Sequence, residues 1–170
     1  AQRYDEDMKP ITEDSHIVIV ARDYAEKYTG TTNLEEACRI IHDRGALIAG
    51  VTDGANGSYF VWPDGTSYRC KPFSQDSVVD TTGAGDSFHG AFLAMLTKIL
   101  CKMADSTNTS TINETSSSLK AVDLLLNCAR SDLEKAAVFA SAVAALNTQS
   151  IGGRSPLPSL EQVHKLMELE

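Results

Sequence analysis

The sequence predicts a layered α/β fold on a largely parallel sheet, and three observations carry that prediction. Short β-branched apolar runs alternate along the chain with segments of helical period. The run Ile17-Val18-Ile19-Val20 suits a strand buried on both faces, as strands of parallel sheets are. A glycine-rich bend at residues 83–85 opens directly into a helix with a long apolar stripe, which anchors that helix against a sheet.

The elements follow in order. Residues 1–14 are polar and acidic and stand apart as an N-terminal segment, with the domain proper over 15–170. After the first strand, a helical turn from Asp23 to Tyr28 stops at Thr29-Gly30. Asn33 is placed to cap the next helix, where Leu34, Ala37, Cys38 and Ile41 recur at i, i+3, i+4 and i+7 and Gly45 marks the end. Ala46 to Val51 reads as a second buried strand. Ser58 to Trp62 and Thr66 to Cys70 flank Pro63-Asp64-Gly65 as a hairpin. A helix from Ala84 to Cys101 lines up Phe88, Ala91, Phe92, Met95, Leu96, Ile99 and Leu100. Residues 105–118, nearly all Ser, Thr, Asn, Asp and Glu, read as a flexible surface loop or insertion. Leu119 to Cys128 resumes helix. Leu133 to Leu146 is small and apolar around most of its circumference, which describes an interior helix. Ile151-Gly152-Gly153-Arg154 is a turn, and a last amphipathic helix starts at Ser159 with Gln162 completing a capping box.

Composition narrows the classes. A length of 170 residues, with 42% hydrophobic and 22% charged, suits one ordinary globular domain. The formal net charge of −8, without a Lys/Arg cluster, argues against nucleic acid or an anionic membrane as partner. No apolar run approaches the ~18 residues of a membrane span, and the N-terminus is unlike a signal peptide. Cys38, Cys70, Cys101 and Cys128 form no Cys-x-x-Cys pair, which fits a reduced, cytoplasmic setting with buried or idle thiols.

The chemistry concentrates in Asp80-Thr81-Thr82-Gly83-Ala84-Gly85-Asp86-Ser87-Phe88-His89-Gly90. A bend without bulky side chains points successive backbone N–H groups into one concavity, and the helix start adds unpaired N–H groups and a positive dipole end. That makes an anion site, with phosphate the obvious anion. Asp86 raises the local negative charge, which points to proton abstraction from an attacking hydroxyl; an acidic residue stabilising a helix start is the plainer alternative. The chain has no Gly-x4-Gly-Lys-Ser/Thr motif, and Gly83-x-Gly85 lacks the third glycine of a dinucleotide fingerprint.

The string closely resembles the signature of the ribokinase-like (PfkB) sugar kinases, Asp-Thr-x-Gly-Ala-Gly-Asp followed by a hydroxyl residue and Phe. Asp80, Thr81, Gly83, Ala84, Gly85 and Asp86 match it without gaps. The resemblance implies a ribokinase-like three-layer α/β/α fold, of which this chain is only the C-terminal portion. It implies Gly83, Ala84 and Gly85 as the anion hole and Asp86 as catalytic base, with ATP and Mg2+ as cofactors. Val51-Thr52-Asp53-Gly54-Ala55-Asn56-Gly57 resembles the family's Thr-x-Gly-x-x-Gly segment, which makes Thr52, Gly54 and Gly57, with Thr82, nucleotide contacts. A hairpin connection whose glycines supply positive φ is the alternative there. Asp80 and Thr82 resemble positions where the family often holds a monovalent cation such as K+, with backbone near Gly152; Asp80 bonding backbone amides is the alternative.

The implied reaction is ATP-dependent phosphorylation of a sugar hydroxyl, nearest the ketohexokinase-like branch. Ribose, adenosine or a keto-deoxy acid as acceptor, and a non-catalytic nucleotide-binding module, are the alternatives. Implied partners are the sugar, ATP, the N-terminal half of the same protein and a second copy of the full-length protein. The match departs from many relatives at one place. Their Asn-x-x-Glu after the first strand, which serves metal and phosphates, is replaced by Ala21 and Tyr24, as it is lost in the ketohexokinase-like branch. Arg22 reads as a solvated side chain or a phosphate contact, and His89 as a packing or capping residue or a modulator of Asp86.

Overall fold

A computed structural model describes residues 6–75, 77–106, 117–153 and 157–168. A 3-10 turn at Glu6–Met8 leads into a short helix α1 (Lys9–Glu13), followed by β1 (Ile17–Ala21), α2 (Arg22–Thr29) and α3 (Leu34–Asp43). Strands β2 (Ile48–Thr52), β3 (Ser58–Val61) and β4 (Ser67–Cys70) come next, and then helices α4 (Ala84–Ser106), α5 (Ser117–Leu126), α6 (Arg130–Asn147) and α7 (Leu160–Glu168).

The four strands lie in sequence order, with β1 and β2 parallel and the pairs β2–β3 and β3–β4 antiparallel. The sheet is therefore mixed rather than largely parallel in this portion. Helices α2 and α3 carry the chain back across the sheet before β2, which permits a parallel pairing. The turns at 53–57 and 62–66 are too short for a crossover and return the chain antiparallel.

Alternation along the strands sorts the core into two faces. Val18, Val20, Ala49, Val51 and Val61 pack with Tyr24, Tyr28, Leu34, Ala37, Cys38 and Ile41 of α2 and α3. Ile19, Ile48, Phe60 and Trp62 pack on the other side with Phe88, Phe92 and Leu96 of α4 and with Leu133, Ala136, Ala137 and Ala140 of α6. These are the three layers of an α/β/α sandwich. Val163 of α7 then seats on Phe139 and Ala142 of α6, so α6 is covered from both sides, as its nearly all-round apolar sequence requires.

The helix ends follow local chemistry. Asn33 Oδ1 accepts from the N–H groups of Glu35 and Glu36 at 3.1 and 3.2 Å, and Gly30 closes α2 with φ 79°. Ser159 and Gln162 form the reciprocal capping box, at 2.8 and 3.2 Å. Helix α4 continues to Ser106, past the Cys101 expected from the sequence, and α5 starts at Ser117. Of the expected loop at 105–118, residues 107–116 lie outside the described residues. Cys38 and Cys70 are buried, and burial pushes their thiols up to about 12 and about 11, so both stay protonated at neutral pH; Cys101 is exposed. Among the described residues no helix is long and apolar enough to cross a membrane.

Gly50 is the tightest point of the sheet. A Cβ there would meet Phe60 Cε1 at 2.7 Å and Ile19 Cγ1 at 3.2 Å. Phe60 cannot yield, because it is 1% exposed and stacks on Trp62 and Phe92 at 4.7 and 5.7 Å between ring centroids. Gly50→Ala is expected to destabilise the fold by about 1–3 kcal/mol through overpacking. Chemical denaturation measures this, and an unchanged midpoint would mean that Phe60 repacks without cost.

Candidate active site

Three segments converge at the carboxyl ends of β1 and β2, where ligands gather in open α/β sheets. They are the turn after β2, residues 71–75 and 77–83 before α4, and the strap at 148–153 after α6. Between them lies a mainly apolar cavity of about 550 Å³. Thr52, Gly54, Gly57, Ala84 and Gly85, five of the residues singled out from the sequence, line it together with Phe88, Val78 and Thr148.

The glycines earn their places differently. Gly57 has φ 91°, and a Cβ on it would lie 2.2 Å from the carbonyl oxygen of Cys70, so β4 can close over the turn only on glycine. Gly83 has φ 77°, and its Cβ would lie 2.4 Å from Cα of Gly153, so bend and strap pass back to back. Gly85 is unlike both: a Cβ there meets nothing within 4 Å, so no protein contact demands a glycine.

The N–H groups at the bend are not equivalent. That of Ala84 donates to the Thr81 carbonyl at 3.2 Å in a turn bond. Those of Gly83 and Gly85 have no acceptor among the described residues, which leaves them open to an anion at the start of α4. Asp86 sits exposed in the first turn of α4, and its carboxylate has no hydrogen-bond or ion-pair partner among the described residues.

Asp80 and Thr82 shape the loop. Asp80 Oδ1 accepts from the N–H of Thr82 and Oδ2 from the N–H of Gly152, both at 2.9 Å. These bonds, led by that of Thr82, hold the carboxyl of Asp80 below the usual carboxylate range. The Thr148 carbonyl accepts from Val79 and Asp80 N–H at 2.8 and 3.1 Å, completing the seam between bend and strap. Both carboxylate oxygens of Asp80 are thus engaged by N–H donors.

Arg22 stays part-exposed, with its side chain 42% accessible, but it is ion-paired rather than free. Its Nη1 donates to Asp53 Oδ1 and Oδ2 at 3.0 and 2.9 Å, and its Nε donates to Glu26 at 2.9 Å. This clamp ties the start of α2 to the turn after β2. Asp53 escaped the sequence reading; its only signal there is an acidic residue beside a turn glycine. Glu26 and Asp53 are both engaged by the guanidinium. Among the described residues no three His, Cys, Asp or Glu side chains group as metal ligands would. His89 is a tether: Nδ1 lies 2.7 Å from the Gly85 carbonyl and Nε2 2.9 Å from the Ile19 carbonyl, joining the first turn of α4 to β1.

A family model described as pfkB family carbohydrate kinase matches residues 2–160. The chain belongs to that family. Similar proteins include a cytidine kinase of Thermococcus kodakarensis, 35% identical over 39% of this chain and 24% of its own length. An adenosine kinase of Saccharomyces cerevisiae is 48% identical over 28% of this chain and 14% of its own length. Among solved structures, a fructokinase double mutant of Vibrio cholerae bound to fructose, ADP and potassium ion superimposes with TM-score 0.65 at 21% identity. That match covers 94% of this chain and 42% of the fructokinase chain, and it establishes the ribokinase-like fold. The chain thus spans less than half the length of each of these relatives.

Proposed function

We propose that this chain carries the nucleotide site and the catalytic base of an ATP-dependent kinase acting on a hydroxyl of a sugar or sugar-containing compound. One observation carries the reading. The open N–H groups of Gly83 and Gly85 and the unpartnered carboxylate of Asp86 stand together at the start of α4, beside an apolar cavity. Adenine and ribose fit the chemistry of that cavity, and the turn at 52–57 meets the phosphates. The transferring phosphoryl group rests on the bend, where N–H donors and the helix dipole stabilise its charge. Asp86 takes the proton of the acceptor hydroxyl as its oxygen attacks in line. His89 and the seam to the strap keep bend and base in place, since positioning supplies most of the rate. Mg2+ neutralises triphosphate charge in such reactions. The acceptor pocket belongs to a further part of the protein.

A ketose acceptor is the first reading, supported by the resemblance to the ketohexokinase-like branch, which also lacks the Asn-x-x-Glu replaced here by Ala21 and Tyr24. A nucleoside acceptor is the second reading, favoured by the 35% and 48% identical segments of the cytidine and adenosine kinases. ADP release by the whole protein with Mg-ATP, across fructose, ribose, adenosine and cytidine, decides between them. Acceptor-dependent release is the expected result. ATP binding without release for any hydroxyl compound would overturn the kinase reading in favour of a nucleotide-binding module.

A further inference from the structure

Asn147, the last residue of α6, is a polar side chain buried to 1% exposure beside the signature bend. Its Nδ2 donates to the Thr82 carbonyl at 3.3 Å, and its Oδ1 has no partner among the described residues. A buried amide oxygen left unpaired is a cost to stability, which an apolar residue of the same size would avoid. Stability therefore does not explain the residue; the bond to Thr82 does. The carbonyl held by Asn147 belongs to the peptide joining Thr82 to Gly83. Across a trans peptide the C=O and N–H point in opposite directions. With the Thr82 oxygen turned toward α6, the Gly83 N–H is turned away from it, and that N–H has no acceptor among the described residues. Gly83 at φ 77° also lacks the Cβ that would resist rotation of this peptide, so its orientation must be imposed from outside the bend.

We infer that Asn147 is a positioning residue: it holds the Thr82–Gly83 peptide so that the Gly83 N–H faces the transferring phosphoryl group. The inference rests on the reading of the bend as the anion hole. Two variants test it in the whole protein. Asn147→Leu keeps the volume and removes the donor, and Asn147→Asp keeps the shape but sets a carboxylate oxygen against the Thr82 carbonyl.

Removing one donor of such a hole costs about 10²–10³ in turnover, so freeing this one to rotate is expected to lower kcat at least ~10-fold in both variants. KM for ATP is expected to change less than about threefold, since the group is held for the transition state. The unfolding midpoint of Asn147→Leu is expected to stay level or rise. Wild-type kcat in both variants, or a midpoint that falls while kcat holds, would overturn the inference and leave Asn147 a packing residue. If Asn147→Leu does not fold, the shape-matched Asn147→Asp carries the test. Asp86→Asn runs alongside as the control. If Asp86→Asn loses turnover while the Asn147 variants keep it, this inference alone fails; if Asp86→Asn also keeps turnover, the placing of the reaction at Asp86 and the bend falls first.

Discussion

Asp86→Asn in the whole protein is expected to lower turnover at least ~10²-fold, the range for loss of a general base. ATP affinity should stay within about threefold, because the amide keeps the shape of the side chain and leaves the bend untouched. The fold should barely respond. Asp86 lies exposed in the first turn of α4 with no partner among the described residues. Its structural contribution is at most the ~0.3–1 kcal/mol of a carboxylate at a helix start. A helix-start residue and a base therefore predict different things: a small shift in unfolding midpoint with intact turnover for the first, intact folding with lost turnover for the second. Steady-state kinetics and calorimetric titration with ATP separate them, and unchanged kcat would remove Asp86 from the reaction.

Gly83→Ala and Gly85→Ala should part company although a single residue, Ala84, separates them. At Gly83 an L side chain at φ 77° costs about 1–2 kcal/mol by itself. Its Cβ would also stand 2.4 Å from Gly153 Cα, so the strap must move and strain its seam with Asp80. A loss of roughly 2–4 kcal/mol in stability is expected, together with turnover reduced at least ~10²-fold. At Gly85 the added methyl meets no protein atom within 4 Å, and alanine is the better helix former by about 1 kcal/mol. Gly85→Ala should therefore fold as well as the wild type or better, yet lose at least ~10-fold in turnover, because the methyl enters the space left for phosphate. Full activity in Gly85→Ala would show that no ligand packs against that position.

Much of this was legible in the residues. Periods and caps placed the helices to within a few residues, since Asn33, Gly30 and the Ser159–Gln162 pair act on backbone groups one turn away. The mixed sheet was harder to read. The buried runs at 17–20 and 46–51 fit a parallel sheet and do pair that way, but β3 is reached through a turn too short for a crossover. The partner of Arg22 was not legible, because Asp53 lies 31 residues away, beyond any local spacing rule. Asn147 gave no signal at all, as an isolated amide within an alanine-rich helix.

The sequence alone determined the strands and helices, the bend that leaves N–H groups open at a helix start, and the carboxylate beside them. Each of these depends on φ preferences, side-chain period and capping among residues close along the chain. The tertiary structure decided the sheet's mixed direction, the need for glycine at Gly57 and Gly83, the seam from Asp80 to Gly152, and the hold of Asn147 on Thr82. Those last two bonds join residues 72 and 65 apart, and only the packing of α6 and its strap against α4 brings them within reach. Local chemistry wrote the glycine bend and its helix start, and long-range packing set the contacts that hold them.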